Sequence, residues 1–387
     1  MSKQLKHLAI VTTHPIQYYA PVFKLLHQRQ NISIKVFYTW GEACLTKYDP
    51  GFGQEIKWDV PVLEGYPYEF VENTAADAGS HHFKGIITPN LIQQITAWQA
   101  DAILVFGWAY HGHLKVLRHF KNKIPVYFRG DSTLLDEQSG IKNLMRSAFL
   151  KWVYSHVDVA FYPGTNTKRY FRKYGLAERK LVFAPHAIDN ERFAKPHLEQ
   201  AAQLRARFKV RETDILILFA GKFEGKKSPM LLVNAFLVLN KPDCHLLLVG
   251  NGILEPVLKQ QAAGNNNIHF MGFQNQTYMP VAYQACDLFC LPSKGPNETW
   301  GLAVNEAMAC SKALLLSNKV GCAVDLITPG QNGEIFKSGD EQSLKDKLAA
   351  LTASKATLTT YGKTSGEAIK DWSFTKIAQA IENKLLS

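Results

Sequence analysis

A chain of 387 residues is too long for one ordinary hydrophobic core, so two domains are expected. Hydrophobic residues make up 46% and charged residues 20%, which excludes a disordered chain, and no apolar run approaches the roughly 20 residues needed to span a bilayer. The net charge is +11 and uneven: between His111 and Lys180 there are fourteen basic residues against five acidic ones, a balance that suits a polyanion or, equally, a solvated basic face.

The opening residues lack the apolar region and cleavage site of a signal peptide, so a cytoplasmic chain is expected. His7–Thr13 is a short apolar strand, followed by a glycine-free stretch His14-Pro15-Ile16-Gln17-Tyr18 and a helix over Val22–Gln28. Ile32–Thr39 is strand-like, Gly41–Gly53 is a loop, and His81–Gly85 is irregular. Ile103–Phe106, Ile124–Phe128, Val157–Tyr162 and Leu181–Ala184 are further strands, with helical patterns between them, notably Ile141–Tyr154. Pro185–Arg211 turns polar and includes a connecting helix, Gln200–Phe208. The alternation then restarts with strands at Ile215–Ala220, His245–Val249, Ile268–Met271, Leu288–Leu291 and Ala313–Leu316. Short apolar strands alternating with helices predict parallel, doubly wound sheets. The expected division is residues 1–195, residues 196–370, and a C-terminal helix in 371–387 that closes the second domain or crosses back to the first. The six cysteines are scattered in apolar surroundings and are expected to be buried thiols rather than metal ligands.

Three strands of the second half end in glycine: Gly221, Gly250 and Gly272. Such ends gather on the carboxyl edge of a doubly wound sheet, where nucleotides bind. Lys222 and Lys227 follow the first and supply charge for a phosphate, while Asn251 and Phe273 flank the others. The fourth strand leads into Leu291–Met308, a loop and then a helix, carrying Glu298 and Glu306 with seven residues between them. Free N–H groups near Trp300, Gly301 and Leu302 favour an anion. Each carboxylate can accept from two vicinal hydroxyls of a sugar. The alternative is that Glu298 caps the helix and Glu306 faces solvent.

Pro292-Ser293, Glu298-Thr299-Trp300-Gly301-Leu302, Glu306-Ala307-Met308-Ala309, Val320-Gly321, Gly330-Gln331-Asn332-Gly333 and Asp340 together resemble the signature of the family 4 glycosyltransferases. Pro185-His186-Ala187-Ile188-Asp189 to Phe193, Gly221-Lys222 with Lys227, and Val249-Gly250-Asn251-Gly252 are similar to that family too. The resemblance covers the second domain with high specificity and the first only weakly. It implies the GT-B fold, two Rossmann-like doubly wound α/β domains facing a cleft. It also implies a retaining hexosyltransferase that uses a nucleotide sugar, UDP- or GDP-linked, as substrate, with no cofactor and usually no bound metal. By position, Glu306 would hold the donor ribose and Glu298 the sugar hydroxyls. Lys222 and Lys227 would hold the diphosphate, with backbone around Trp300, Gly301 and Leu302 completing the cradle and Gly272 and Phe273 bordering the base. Lys222 stands where an arginine is common, which keeps the charge but loses the bidentate geometry.

The first half departs from the family. His14 follows the first strand where many members have a glycine pair, and Arg129 stands where many have a histidine. His14, His111, Arg129 and Asp131 are the expected catalytic candidates on that side, with Glu298 across from them, because a histidine or aspartate can act on an acceptor hydroxyl. Family members that build bacterial surface polysaccharides often reach lipid-linked acceptors at the inner leaflet. Ile141–Tyr154 interleaves Lys142, Arg146 and Lys151 with Leu144, Met145, Phe149, Leu150 and Trp152, a pattern that fits peripheral contact with an anionic membrane or an ordinary packed surface helix. The competing readings are a nucleotide-sugar epimerase of the same fold and, from charge alone, a nucleic-acid-binding protein. The paired glutamates and lysines disfavour the first, and the lack of any nucleic-acid-binding signature disfavours the second.

Overall fold

The computed structural model describes residues 5–46, 48–49, 54–55, 57–137 and 140–387, so part of the expected Gly41–Gly53 loop lies outside it. The chain divides into two compact units. Unit 1 comprises Met1–Lys47, Val60–Pro185 and Phe374–Ser387; unit 2 comprises Tyr48–Asp59 and His186–Ser373. The main passage to unit 2 therefore falls upstream of the expected 195/196 division. The excursion Tyr48–Asp59 is tied into unit 2 by Asn275 Nδ2, which donates to Lys57 O at 2.7 Å, and by Thr277, whose hydroxyl donates to Asp59.

Unit 1 is built on seven strands: β1 His7–Thr12, β2 Ser33–Tyr38, β3 Tyr68–Phe70, β4 Ala102–Phe106, β5 Val126–Arg129, β6 Val159–Tyr162 and β7 Leu181–Phe183. Their order is β3-β2-β1-β4-β5-β6-β7, and each neighbouring pair is parallel. Unit 2 has six: β8 Ile215–Ala220, β9 Cys244–Val249, β10 Ile268–Met271, β11 Leu288–Leu291, β12 Ala313–Ser317 and β13 Gly333–Phe336, ordered β10-β9-β8-β11-β12-β13 and again all parallel. Both orders reverse direction beside the first strand, which opens a crevice at the carboxyl ends there. Helices on both faces explain the unbroken apolar strands: all six residues of β8 and of β9 are buried, so no alternation survives. The outer strands β3 and β13 were not expected, because each is a short run with a glutamate inside it, Glu69 and Glu334.

The helices that position functional groups are α1 Ala20–Arg29, α2 His111–Phe120, α3 Ile141–Tyr154, α4 Met279–Ala285, α5 Leu302–Ala309 and α6 Phe374–Leu386. The C-terminal helix α6 belongs to unit 1. Its stripe Ile377, Ala378, Ile381 and Leu385 is buried, and Arg29 of α1 pairs with the buried Glu382 at 2.9 Å. Tyr127 of β5 donates to Lys384 O at 3.1 Å, and Lys6 Nζ donates to Leu385 O at 2.7 Å. All six cysteines are free and buried, as expected from their apolar surroundings. No helix among the described residues is long and apolar enough to cross a membrane.

Candidate functional site

The carboxyl edge of the unit 2 sheet is one interlocked set of loops. Gly221, after β8, and Gly250, after β9, meet so closely that a Cβ on Gly250 would stand 2.0 Å from Gly221 O. Gly252 has φ +155, and its own Cβ would lie 2.6 Å from Phe223 O. Only glycine serves at such contacts. Asn251 between them accepts from Phe273 N through Oδ1 at 2.6 Å, which fixes the turn after β10 that contains Gly272. Lys294 N, beyond β11, donates to Lys226 O at 2.8 Å and so ties the Glu298 loop to the lysine loop.

Into this edge project the two glutamates. Glu298 is buried, and its Oε2 accepts from Lys227 Nζ at 2.5 Å and from the Ser293 hydroxyl at 2.8 Å. Glu306 lies inside α5, also buried, and accepts from Tyr283 of α4 at 2.8 Å. The alternative roles of a helix cap and a solvent-facing residue are thereby excluded. The residue capping α5 is Gly301 at φ 96, with no side-chain cap bond, and Glu306 is in the interior. A residue with a Cβ is strained at that φ, so glycine lets the chain turn into the helix, whose first N–H groups no side chain of the cap residue satisfies.

Trp300 itself is packed inward. Its indole N–H donates to Asn305 Oδ1 at 2.9 Å, Asn305 Nδ2 donates to His186 O at 3.1 Å, and the ring lies 5.3 Å from that of His186 and 5.1 Å from that of Trp372. Side chains of Trp300 and Asn305 thus hold the loop and the start of the helix from inside. Sequence reasoning missed Ser293, Tyr283 and Asn305 as partners, because they become neighbours only through the fold. Lys222 and Leu302 are half-buried on the same edge.

In unit 1 the expected candidates also follow strand ends. His14, half-buried, lies beyond β1 with Nδ1 2.8 Å from the Thr13 hydroxyl and its ring edge-on to Trp40 at 5.5 Å. Arg129 ends β5, is buried, and donates to Ala184 O at 2.8 Å and Pro185 O at 2.9 Å, with its guanidinium 5.7 Å from the Tyr19 ring. That is the geometry of a brace between strand ends. His111 is the exposed first residue of α2, and Asp131 is exposed beyond β5. Burial raises the Tyr19 hydroxyl above its ordinary range, with Arg129 opposing and Asp131 reinforcing the shift.

Anabaena Alr3699/HepE, crystallised in complex with UDP and glucose, matches with a TM-score of 0.73 at 18% identity, over 98% of this chain and 99% of that one. At that identity the likeness shows the fold, which is GT-B. The GDP-mannose-dependent monoacylated alpha-(1-6)-phosphatidylinositol monomannoside mannosyltransferase of Corynebacterium glutamicum is 24% identical over 249 residues, which is 62% of this chain and 64% of that protein. The O-antigen biosynthesis glycosyltransferase WbnH of Escherichia coli is 29% identical over 160 residues, 41% of this chain and 40% of that protein. The chain therefore spans less than two thirds of either relative's length. The family model described as "Glycosyl transferases group 1" matches residues 200–367, the stretch that holds both glutamates, both lysines and all three strand-end glycines. Those residues make up most of unit 2, and it is through them that the chain is similar to the glycosyl transferases group 1 family.

Proposed function

We propose that the chain is a retaining glycosyltransferase that moves a sugar from a UDP- or GDP-linked donor to a hydroxyl of a glycan or lipid-linked acceptor, in bacterial surface polysaccharide synthesis. The observation that carries this reading is the Lys227–Glu298 pair, 2.5 Å apart in the family's matched segment. Without donor, each charge neutralises the other. With donor, Lys227 turns to the diphosphate and Glu298 to the sugar hydroxyls, so one internal pair is exchanged for two contacts with substrate. Lys222 and the N–H groups at the start of α5 complete the anion site, Glu306 receives the ribose, and Gly272 and Phe273 border the base.

As the bond from C1 to the diphosphate oxygen breaks, negative charge grows on the leaving group and positive charge on the sugar. Two lysines and a helix N-terminus stabilise that charge where it develops. The new bond forms between C1 and the acceptor oxygen, on the face the diphosphate leaves. The acceptor hydroxyl gives up its proton in the process, and His14, His111 and Asp131 are the unit 1 groups suited to the acceptor side, with Arg129 bracing the strand ends beside them. The donor assignment draws support from the named relatives, one GDP-mannose-dependent and one crystallised with UDP and glucose. The acceptor assignment draws support from relatives named for a phosphatidylinositol mannoside and for O-antigen. The exposed apolar and basic residues of α3 suit peripheral contact with the anionic inner face of the membrane, where lipid-linked acceptors are found.

A panel of nucleotide sugars screened by thermal shift, followed by donor hydrolysis and transfer assays with product anomer read by NMR, tests the reading. Lys227→Ala should lower turnover by on the order of 10²-fold or more. The substitution also leaves the buried Glu298 without its cation, so turnover is read per folded molecule, with circular dichroism as the control. A matched donor and acceptor that still react at near wild-type rate would sink the assignment.

A further inference from the structure

A group of side chains outside the transfer site has the chemistry of a metal centre. In unit 1, Asp77, His81 and His82 each offer one ligand atom, all within 4.8 Å of one another. The Nε2 atoms of both histidines stand 3.2 Å from the same oxygen, Asp77 Oδ2. Tetrahedral zinc with ligand bonds near 2.0 Å sets its ligand atoms about 3.3 Å apart, so two edges of the triangle already match. The Asp77 main-chain oxygen, 3.0 Å from His82 Nε2, adds a further acceptor beside the same ring. The sequence gives no such hint, because Asp-x-x-x-His-His matches no helical metal motif.

The loop that carries the triad is built rather than loose. Asn73 spans it, donating to Gly85 O at 2.9 Å and accepting from Ile87 N at 2.9 Å and Ala75 N at 3.1 Å. Gly79 N donates to Gly85 O at 3.0 Å, and a Cβ on Gly85 would stand 2.2 Å from Gly79 O, so the closure requires glycine there. The Tyr110 hydroxyl donates to Ser80 O at 3.2 Å from outside the loop. These bonds bend the chain so that consecutive histidines, whose side chains would diverge along an extended strand, converge on one carboxylate.

We infer that Asp77, His81 and His82 form a binding site for a zinc-class divalent cation, three-coordinate from protein with water completing the tetrahedron. Two imidazoles and one carboxylate are a zinc ligand set. The bound ion would staple the 73–87 loop. That loop touches the start of α2 through Tyr110 and through Phe83, whose ring lies 6.1 Å from that of His111. The site is independent of the donor-binding groups of unit 2 and of the glycosyltransferase reading.

The test is zinc titration of the full-length, metal-stripped protein by calorimetry, alongside His81→Ala/His82→Ala and Asp77→Asn. All three side chains are at least partly exposed, so the variants should fold. Wild type should bind one zinc ion in its tightest class, at micromolar affinity or better. Loss of outer partners alone weakens metal sites roughly 10–100-fold, and the double variant, lacking two ligands, should lose at least that much. Hydrogen exchange in residues 73–87 should slow on adding zinc to wild type and not to the double variant. Equal zinc affinity in the double variant overturns the assignment, as does the absence of micromolar zinc binding by wild type.

Discussion

His113 shows how one buried residue sets a pH limit on unit 1. Its Nδ1 lies 3.1 Å from Phe106 O and 3.0 Å from Gly107 O, so that nitrogen carries the proton and donates, while Nε2 lies 2.8 Å from the Thr39 hydroxyl. Burial pulls the imidazole from 6.5 down to about 4, although the two carbonyls favour the charged form. A lowered pKa means the unfolded chain takes up the proton first. The stability tied to the neutral ring is fully present above pH 6.5 and is lost as pH falls toward about 4. The full depression corresponds to roughly 3 kcal/mol. His113→Gln removes the titration and keeps an amide able to donate to a carbonyl. Urea unfolding at neutral pH and near the lower limit should therefore show a shallower pH slope for the variant, whatever its absolute stability; equal slopes would refute the role. Nothing in the sequence pattern singles out His113, since burial to 0% and the Thr39 contact arise from tertiary packing. Glu298 and Lys227 were legible as donor candidates because a family pattern marks them; Ser293 shares that pattern but its bond to Glu298 does not show in it, and Tyr283 lies outside the pattern altogether.

At the scale of elements, the loops after β11 and β12 act as one piece. Gly321 N donates to Glu298 O at 3.0 Å, and Cys322 N donates to Trp300 O at 3.0 Å, so the turn after β12 holds the Glu298 loop by its backbone. A Cβ on Gly321 would sit 1.7 Å from Thr299 O, which side-chain motion cannot relieve because the obstacle is main chain. Gly321→Ala must push the Glu298 loop outward. Overpacking of this kind costs about 1–3 kcal/mol, and here the displaced segment bears the carboxylate and the start of α5. The expected result is a lowered melting temperature together with weakened donor-induced thermal shift, beyond what an equally destabilising substitution far from the loop causes. A drop in stability with unchanged donor response would show that the loop's position is irrelevant to binding. The strands that build this edge were legible because β8, β9, β11 and β12 are continuous apolar runs ending at glycine, proline or serine. The outer strands β3 and β13 were not, because each is a run of three or four residues with a glutamate inside it, whereas the equally short edge strands β7 and β10 carry no acidic residue and were legible.

At the scale of the whole molecule, basic charge and exposed apolar surface are concentrated in unit 1. The excess of basic residues between His111 and Lys180 lies in unit 1, as does α3. That helix is packed at its C-terminal end and exposed at its N-terminal end. Leu150, Val153 and Tyr154 are buried, while Ile141, Leu144 and Met145 are 81%, 73% and 70% exposed, beside Lys142 and Arg146. Large apolar side chains left in water next to cations suit the headgroup boundary of an anionic bilayer, which takes the apolar groups and attracts the charges at once. Each basic residue near such a surface contributes about 1 kcal/mol. Sedimentation with vesicles should therefore show more protein bound to anionic than to neutral lipid, and the difference should shrink as salt rises. Lys142→Ala/Arg146→Ala should weaken anionic-vesicle binding by about 2 kcal/mol, roughly thirtyfold. Ile141→Asp/Leu144→Asp should weaken it too while leaving transfer to a soluble acceptor analogue intact, since neither residue belongs to the donor site. Binding that ignores lipid charge, or that survives both pairs of substitutions, removes the membrane from the account. The basic face of unit 1 would then be only a solvated surface.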